Sequence, residues 1–437
     1  MAVQPATSYG TSFDDPIYLG QSREERAARM DAALRRLVRR LAKASPFYQR
    51  KLKAIGLDPR ELTGAADLAR LPFTTKEELR ETYPLGLQAV PDAEVVRVHS
   101  SSGTTGLPVI IPYTRRDVET WSLMMARCYA MAGVTPLDRV QVTPGYGLWT
   151  AGIGFQLGAE LLGAMVVPMG PGNTEKQLQM MQDLRSTVLT GTSSYALLLA
   201  EEINRRGLRD RLHLRCGIFG SERWGEKMRR RIEGELGVES FDIYGLTEVY
   251  GPGIGLDCRY HRGIHYWVDH LFFEIVDPVT SRPLPPGDVG ELAVTTLTKE
   301  GAPLLRYRTR DLSRLIPGDC PCGSVYPRID RILGRADDMV KIKGVNIYPG
   351  QVDELLHGVP GASSEYQIVL AREDGRDEMR LQVEIEAGAD PAAIGERIAR
   401  GLKGVLGLTA TVETVPLGAL PRSEKKTRRV IDRRDLS

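Results

Sequence analysis

Apolar and polar positions alternate along most of this chain in short blocks, and the period of the alternation changes from one stretch to the next. Residues 23–55 carry apolar side chains at helical spacing among many arginines, which predicts helix with a solvated basic face. Pro72-Phe73-Thr74-Thr75 followed by Lys76-Glu77-Glu78-Leu79 predicts a loop and then a helix capped by Thr74 or Thr75. Between residues 116 and 216, helical stretches such as 175–185 alternate with short apolar runs at 165–168 and 187–190 that read as strands. That alternation predicts an α/β unit with a largely parallel sheet. Beyond Leu271 the texture becomes strand-rich, with runs at 272–277 and 290–296. It changes once more near Gly334-Arg335-Ala336-Asp337-Asp338. Strand-like residues 366–370 and 380–385 then mix with helix-like residues around 351–356 and 391–404, which predicts a small α+β unit. The expected division is 1–334 and 335–437.

One segment departs from this texture. Ser100-Ser101-Ser102-Gly103-Thr104-Thr105-Gly106-Leu107-Pro108 lies between two β-branched runs, 94–98 and 109–111, that both read as strands. A loop so rich in Ser, Thr and Gly buries little apolar surface. It offers unobstructed backbone N–H groups and hydroxyls, the donors that a phosphate chain takes. A plain hairpin loop is the alternative.

Composition narrows the remaining classes. A length of 437 residues predicts more than one compact unit, and 42% hydrophobic with 26% charged residues is ordinary for a globular protein. Lys+Arg total 58 against 56 Asp+Glu, so charge makes no case for nucleic acid or a membrane surface. No apolar run nears the roughly 20 residues that cross a bilayer. The polar start, with Asp14-Asp15-Pro16 and no apolar segment, does not read as a secretory signal, and five cysteines do not read as a secreted disulfide framework. A reduced, cytoplasmic chain is expected, with Cys128 and Cys216 as buried core thiols.

Further polar segments follow the loop in order. They are Asp242-Ile243-Tyr244-Gly245-Leu246-Thr247-Glu248, His265-Tyr266-Trp267-Val268-Asp269-His270, Thr296-Leu297-Thr298-Lys299-Glu300, Arg306-Tyr307-Arg308-Thr309-Arg310-Asp311, Gly334 to Asp338, and Pro421-Arg422-Ser423-Glu424. Together with the Ser/Gly loop, from about residue 97 to the end and with the spacing kept, this series resembles the adenylate-forming superfamily of acyl- and aryl-CoA synthetases. Within it the match is to phenylacetate-CoA ligases.

The chemistry of such enzymes explains these residue types. A carboxylate is a poor acylating agent because oxide is its leaving group. ATP converts it to an acyl-adenylate, and a thiol then displaces AMP. The first step brings a carboxylate against a polyanion, so N–H donors, a cation and Mg²⁺ must screen the charge. The resemblance implies a large N-terminal adenylate-forming domain with parallel-rich sheets and a β-rich part, and a small mobile α+β C-terminal lid. It implies that Ser101, Ser102, Gly103, Thr104, Thr105 and Gly106 wrap the β- and γ-phosphates. Thr247 would contact the attacked phosphate, Glu248 would hold Mg²⁺, and Asp242 and Tyr244 would flank the adenine. Asp311 would take the ribose hydroxyls and Arg335 the ribose side, Asp337 would be the hinge, and Lys426 would reach the carboxylate and α-phosphate. The chain departs from the family pattern twice. Lys425 stands where Gly is common, which leaves Lys425 or Lys426 as the reaching lysine. Leu107 stands where Lys usually follows the last Gly of the loop, which removes a cation from the phosphate site.

Cys320-Pro321-Cys322-Gly323 is a tight thiolate pair, and Cys258 with His261, His265 and His270 lies upstream. One Cys and one His from that group would complete a structural Cys₃His zinc site. The resemblance points to Cys258 and His265 with Cys320 and Cys322. Gly145-Tyr146-Gly147-Leu148-Trp149 falls where the relatives form the wall of the acid pocket, so Tyr146, Trp149, Gly220 and Ser221 are its candidate lining, with Trp149 as a core aromatic the alternative. The expected reaction joins an aryl or arylacetic acid to coenzyme A at the expense of ATP. A carrier-protein thiol, an amine or no acceptor at all are the alternatives, as is a nucleotide-binding relative with impaired catalysis. A homodimer rests on the resemblance alone.

Overall fold

A computed structural model describes residues 12–101, 107–342, 345–373, 376–422 and 429–434. The predicted N-terminal helix is broken. After α1 (Pro16–Gly20), α2 (Arg23–Ala44) is opened by a capping box between Ser22 and Glu25. It stops at Ser45, which caps α3 (Pro46–Ala54) with Pro46 at the first turn. A proline there has no N–H to extend the preceding helix and a φ suited to starting a new one. Thr75, rather than Thr74, caps α4 (Lys76–Glu81), while buried Thr74 donates its hydroxyl proton to the Leu305 carbonyl at 2.7 Å.

The two runs around the Ser/Gly loop form an antiparallel hairpin, β1 (Val95–Ser100) and β2 (Ile110–Thr114). It leads into α5 (Arg115–Met131), whose buried Asp117 carboxylate accepts backbone N–H groups from Thr114 (3.0 Å), Glu300 (2.7 Å) and Gly301 (2.8 Å). One carboxylate thereby joins the hairpin to a distant turn.

The predicted α/β alternation follows: β3 (Arg139–Val142), α6 (Ala151–Leu162), β4 (Met165–Pro168), α7 (Thr174–Asp183), β5 (Val188–Thr192), α8 (Ser193–Arg205), β6 (Cys216–Gly220), α9 (Glu226–Leu236) and β7 (Glu239–Leu246). These strands pair in parallel in the order β4-β3-β5-β6-β7. The chain leaves β3 toward one side and β5 toward the other, so their carboxyl ends open a crevice, the usual ligand position of such sheets. Antiparallel β8 (Gly251–Asp257) and β9 (Ile264–Tyr266) extend the sheet from β7. A second sheet holds β10 (Leu271–Val276), β11 (Gly290–Thr296) and β12 (Tyr307–Ser313). Short β13 (Leu315–Ile316) and β14 (Arg328–Ile329) return to the edge beside β9, making nine strands, and β15 (Gly334–Arg335) pairs with β12 so that Arg335 faces Asp311 in register.

Past residue 335 a separate apolar core forms around Val352, Leu356, Tyr366, Ile368, Leu381, Ile398 and Leu402. It is built by the hairpin β16 (Val340–Ile342) and β17 (Val345–Ile347), then α10 (Pro349–His357), β18 (Ala362–Glu373), β19 (Arg376–Ile385), α11 (Pro391–Leu406), β20 (Thr411–Pro416) and β21 (Val430–Asp432). The contacts between this unit and the body are strongly polar. Lys227 of α9 donates to the carbonyls of Leu356, Val359 and Ala362 just past α10. Arg223 pairs with Asp353, and Arg422 bridges Glu201 of α8 and Glu384 of β19 at 2.8 Å each.

Candidate active site

The base of the Ser/Gly loop is clasped. The Ser101 N–H donates to the Val109 carbonyl at 3.0 Å, and its hydroxyl accepts the Val109 N–H at 2.9 Å. Ser102, Gly103, Thr104, Thr105 and Gly106 lie outside the described residues, as do Lys425 and Lys426. Leu107 at the far end is 57% exposed. The Ser100 N–H and the His99 ring both meet the Leu148 carbonyl, at 2.9 and 3.1 Å, which fixes the loop against the 145–150 segment that follows β3.

That segment carries two of the proposed acid-pocket residues. Tyr146 is half-buried over Gly152, and its hydroxyl has no hydrogen-bond partner among the described residues. Trp149 is 45% exposed and does not belong to the core. Across the crevice, buried Gly220 ends β6, where an added Cβ would lie 2.2 Å from the Ile243 carbonyl oxygen. Ser221 follows in the left-handed region at φ +69°, a conformation that non-glycine residues seldom hold outside constrained sites.

β7 delivers the central motif. Tyr244 is buried, and its hydroxyl donates to Asp311 at 2.6 Å. Asp311 also accepts from Arg335 at 3.2 Å, and Arg335 grips Asp337 through two further bonds of 2.8 Å each. Tyr244, Asp311, Arg335 and Asp337 therefore form one connected chain. At the end of the strand, the Thr247 hydroxyl lies 3.1 Å from that of Thr150, the residue that opens α6. Buried Glu248 pairs with Lys76 of α4 at 3.0 Å. Neither Lys76 nor Thr150 stands out in the sequence. A lysine in the first turn of a capped helix reads as a solvated cation, and only the fold brings it to Glu248.

Asp242 occupies a different environment on the same strand. Its carboxylate accepts the Trp224 indole N–H at 2.9 Å, and its backbone N–H donates to Asp257 at 2.7 Å. Burial, reinforced by the Asp257 charge, pushes its carboxyl up to about 7. Asp242 therefore keeps its proton to a higher pH than an exposed Asp does.

Away from this crevice, Cys258, His265, Cys320 and Cys322 are all buried, with their donor atoms within 4.8 Å of one another. Cys258 Sγ is 3.6 Å from Cys320 Sγ, and Cys322 Sγ is 3.4 Å from His265 Nε2. The other His265 nitrogen, Nδ1, donates to the Tyr326 carbonyl at 2.8 Å and leaves Nε2 as a ligand atom. The other two candidate histidines are engaged elsewhere, His261 with Asp257 at 2.8 Å and His270 with Thr298 at 3.0 Å. Cys128 and Cys216 are buried in the main core, as their apolar surroundings predict.

Comparison with known proteins gives this geometry a family. The model for the AMP-binding enzyme family matches residues 16–297, and that for the AMP-binding enzyme C-terminal domain matches residues 344–434. The chain is 45% identical to the phenylacetate-coenzyme A ligase of Thermus thermophilus over 433 residues, covering 94% of this chain and 97% of that protein. It is 42% identical to the Escherichia coli K12 protein of the same name, covering 90% of this chain and 91% of that one. Among solved structures, 2-hydroxyisobutyryl-CoA ligase in its postadenylation state matches with a TM-score of 0.85 at 30% identity, covering 94% of this chain and 90% of that one. The same enzyme in its thioesterification state with CoA matches at 0.70 and 31% identity, covering 95% and 91%. The fold and the crevice are therefore those of an adenylate-forming, AMP-binding enzyme. Within that class the chain belongs to the phenylacetate-coenzyme A ligase family.

The Asp242 environment has a stability consequence. A carboxyl raised in the folded state holds its proton between about pH 4 and 7, where the unfolded chain has lost it, so the native state is progressively penalised as pH rises through that window. Asp242→Asn keeps an acceptor for Trp224 and carries no charge. Its denaturation midpoint relative to the parent is expected to rise between pH 5 and pH 8; a difference independent of pH contradicts this origin.

Proposed function

We propose that this chain converts an aromatic carboxylic acid, an arylacetic acid such as phenylacetic acid foremost, into its coenzyme A thioester. The enzyme is an AMP-forming acid–thiol ligase. A carboxylate oxygen attacks the α-phosphorus of ATP and pyrophosphate leaves. The CoA thiol then adds to the acyl carbon as its proton is lost, and AMP leaves. One observation carries the reading: the end of β7 spans both halves of the reaction, with Tyr244 bonded to Asp311 on the ribose side and Thr247 bonded to Thr150 on the acid-pocket side. A single short strand end thereby sets the distance between nucleotide and acid.

In this reading Asp311 accepts the ribose hydroxyls, held in place by the Tyr244 hydroxyl and Arg335. Thr247 donates to the phosphate under attack, and the Ser101 to Gly106 loop donates N–H and hydroxyl protons to the rest. Asp242, on the same strand as Tyr244, contributes to the nucleotide pocket. Tyr146 and Trp149 line the acid pocket with Gly220 and Ser221. Glu248 would hold Mg²⁺, which when bound offsets the charge of the phosphates. Lys76 sets a second cation beside Glu248, in a chain whose loop has Leu107 in place of a lysine.

The unit from 335 onward acts as the lid, with Asp337 as hinge and Lys426 as the group that reaches the carboxylate and α-phosphate. Support comes from Arg422, anchored on Glu201 of the body four positions before Lys426. The closer match to the postadenylation state than to the thioesterification state of 2-hydroxyisobutyryl-CoA ligase agrees with that placement. Cys258, His265, Cys320 and Cys322 would hold a structural zinc. Their 3.6 Å sulfur–sulfur and 3.4 Å sulfur–nitrogen separations suit it, since tetrahedral Zn–S bonds near 2.3 Å set sulfurs about 3.8 Å apart. Four protein ligands leave that ion no open position for chemistry.

Three measurements test this account. Pyrophosphate release from ATP and Mg²⁺ across phenylacetic, hydroxyphenylacetic, benzoic and hydroxybenzoic acids, with and without CoA, is expected to give a thioester mass that requires CoA; an adenylate that persists beside CoA removes the proposed acceptor. Lys76→Met is expected to slow adenylation by about 100- to 1,000-fold, as loss of a charge-stabilising donor does elsewhere, and an unchanged kcat removes Lys76 from the reaction. Cys320→Ser is expected to abolish the zinc found by elemental analysis and to lower Tm, whereas a parent protein that purifies without zinc refutes the metal site.

A further inference from the structure

Lys299 is a buried cation that the reaction described above does not use. Its side chain is fully enclosed, and its ammonium donates to the Val249 carbonyl. It lies 4.4 Å from the Tyr113 ring centroid and 4.7 Å from that of Tyr250. Among the described residues no carboxylate forms an ion pair with it. Burial drives its pKa down to about 7, against the opposing pull of Asp117 and Glu248. A buried ammonium without a paired anion is among the least favourable groups in a protein interior. A methionine of similar length would fill the same aromatic cage without that penalty.

The surroundings keep the lysine in place. The Arg40 guanidinium donates to the carbonyls of Lys299, at 3.1 Å, and of Glu300. Asp117 holds the N–H groups of Glu300 and Gly301 at 2.7 and 2.8 Å. Tyr113, one wall of the cage, donates its hydroxyl proton to the Tyr250 carbonyl at 2.9 Å. Lys299 and Tyr113 thus grip two consecutive carbonyls, those of Val249 and Tyr250, directly after Thr247 and Glu248. The whole device bears on the backbone of the turn that presents those two side chains.

We infer that Lys299 is a positioning residue for adenylation: through the Val249 carbonyl it fixes the turn that aims Thr247 and Glu248, and it adds positive charge behind that turn. This rests on the proposed function of the same site. Binding of the acid, which occupies the crevice beyond Thr150, does not depend on it. Precise placement of a phosphate-facing hydroxyl and carboxylate is the kind of preorganisation that acts on the transition state rather than on substrate binding.

Lys299→Met relieves the penalty of an unpaired buried charge but leaves the Val249 carbonyl without its donor; the two effects on stability oppose each other, so stability and rate should part company. For Lys299→Met, Tm is expected to change little, kcat for adenylation to fall by about tenfold or more, and the KM for the acid to stay within about twofold, as for loss of an interaction made only in the transition state. Lys299→Gln, a neutral donor in the same cage, is measured beside it and is expected to have a kcat between those of the parent and Met. An unchanged kcat, an effect confined to the acid's KM, or a loss of rate that tracks a lowered Tm overturns the inference. Unfolding of both variants does the same, by making Lys299 a structural residue. If the parent itself releases no pyrophosphate with any acid, the proposed function falls and takes this inference with it. If the parent is active and both variants equal it, the inference alone falls.

Discussion

Two anions have to be brought into contact at this site, and the arrangement of the crevice follows from the energy of doing so. A carboxylate and a polyphosphate repel each other in any medium, and more strongly once water is excluded. The fold answers with fixed donors. The Ser101 end of the loop is clasped to Val109, its base is pinned at Leu148, and the Thr247–Glu248 turn is held from behind by Lys299 and Tyr113. Donors held in place before charge develops need little reorganisation, which is where much of the advantage of an enzyme site over water lies.

The cations are distributed with the same economy. The far end of the Ser/Gly loop carries an exposed leucine, Leu107, while α4 sends Lys76 to Glu248. Arg335 divides its guanidinium between Asp311 and Asp337, so the residue that steadies the Asp311 carboxylate also touches the start of the small unit.

Much of this could be read from the sequence because it depends on local pattern. The hairpin around the loop, the α/β alternation, the strand-rich middle and the small α+β unit each have a period or a turn signature, and the structure has them. The Cys320-Pro321-Cys322 pair announced a thiolate cluster, and the fold then selected His265 by committing His261 to Asp257 and His270 to Thr298. What stayed hidden is long-range. Lys76 and Lys299 are ordinary lysines until tertiary packing brings one to Glu248 and encloses the other between two tyrosines. The raised carboxyl of Asp242 needs Asp257 beside it, and the break after α2 needed Ser45 to be recognised as a cap. Pattern reveals which residues line up along an element, not which distant element they will face.

The seam between the body and the small unit is made largely of hydrogen bonds and ion pairs, the same kinds of bond that water offers. Lys227 is held by three carbonyls past the end of α10, Arg223 by Asp353, and Arg422 by carboxylates on both sides. Each of these bonds exchanges with one to solvent at little net change in free energy, whereas prising apart an apolar seam would expose surface in proportion to its area. The charged pairs of this seam are mostly enclosed, so dissolved salt screens them far less than it screens surface pairs, while strongly hydrated anions strengthen hydrophobic contacts. Salt therefore tightens the two cores more than it loosens the join between them.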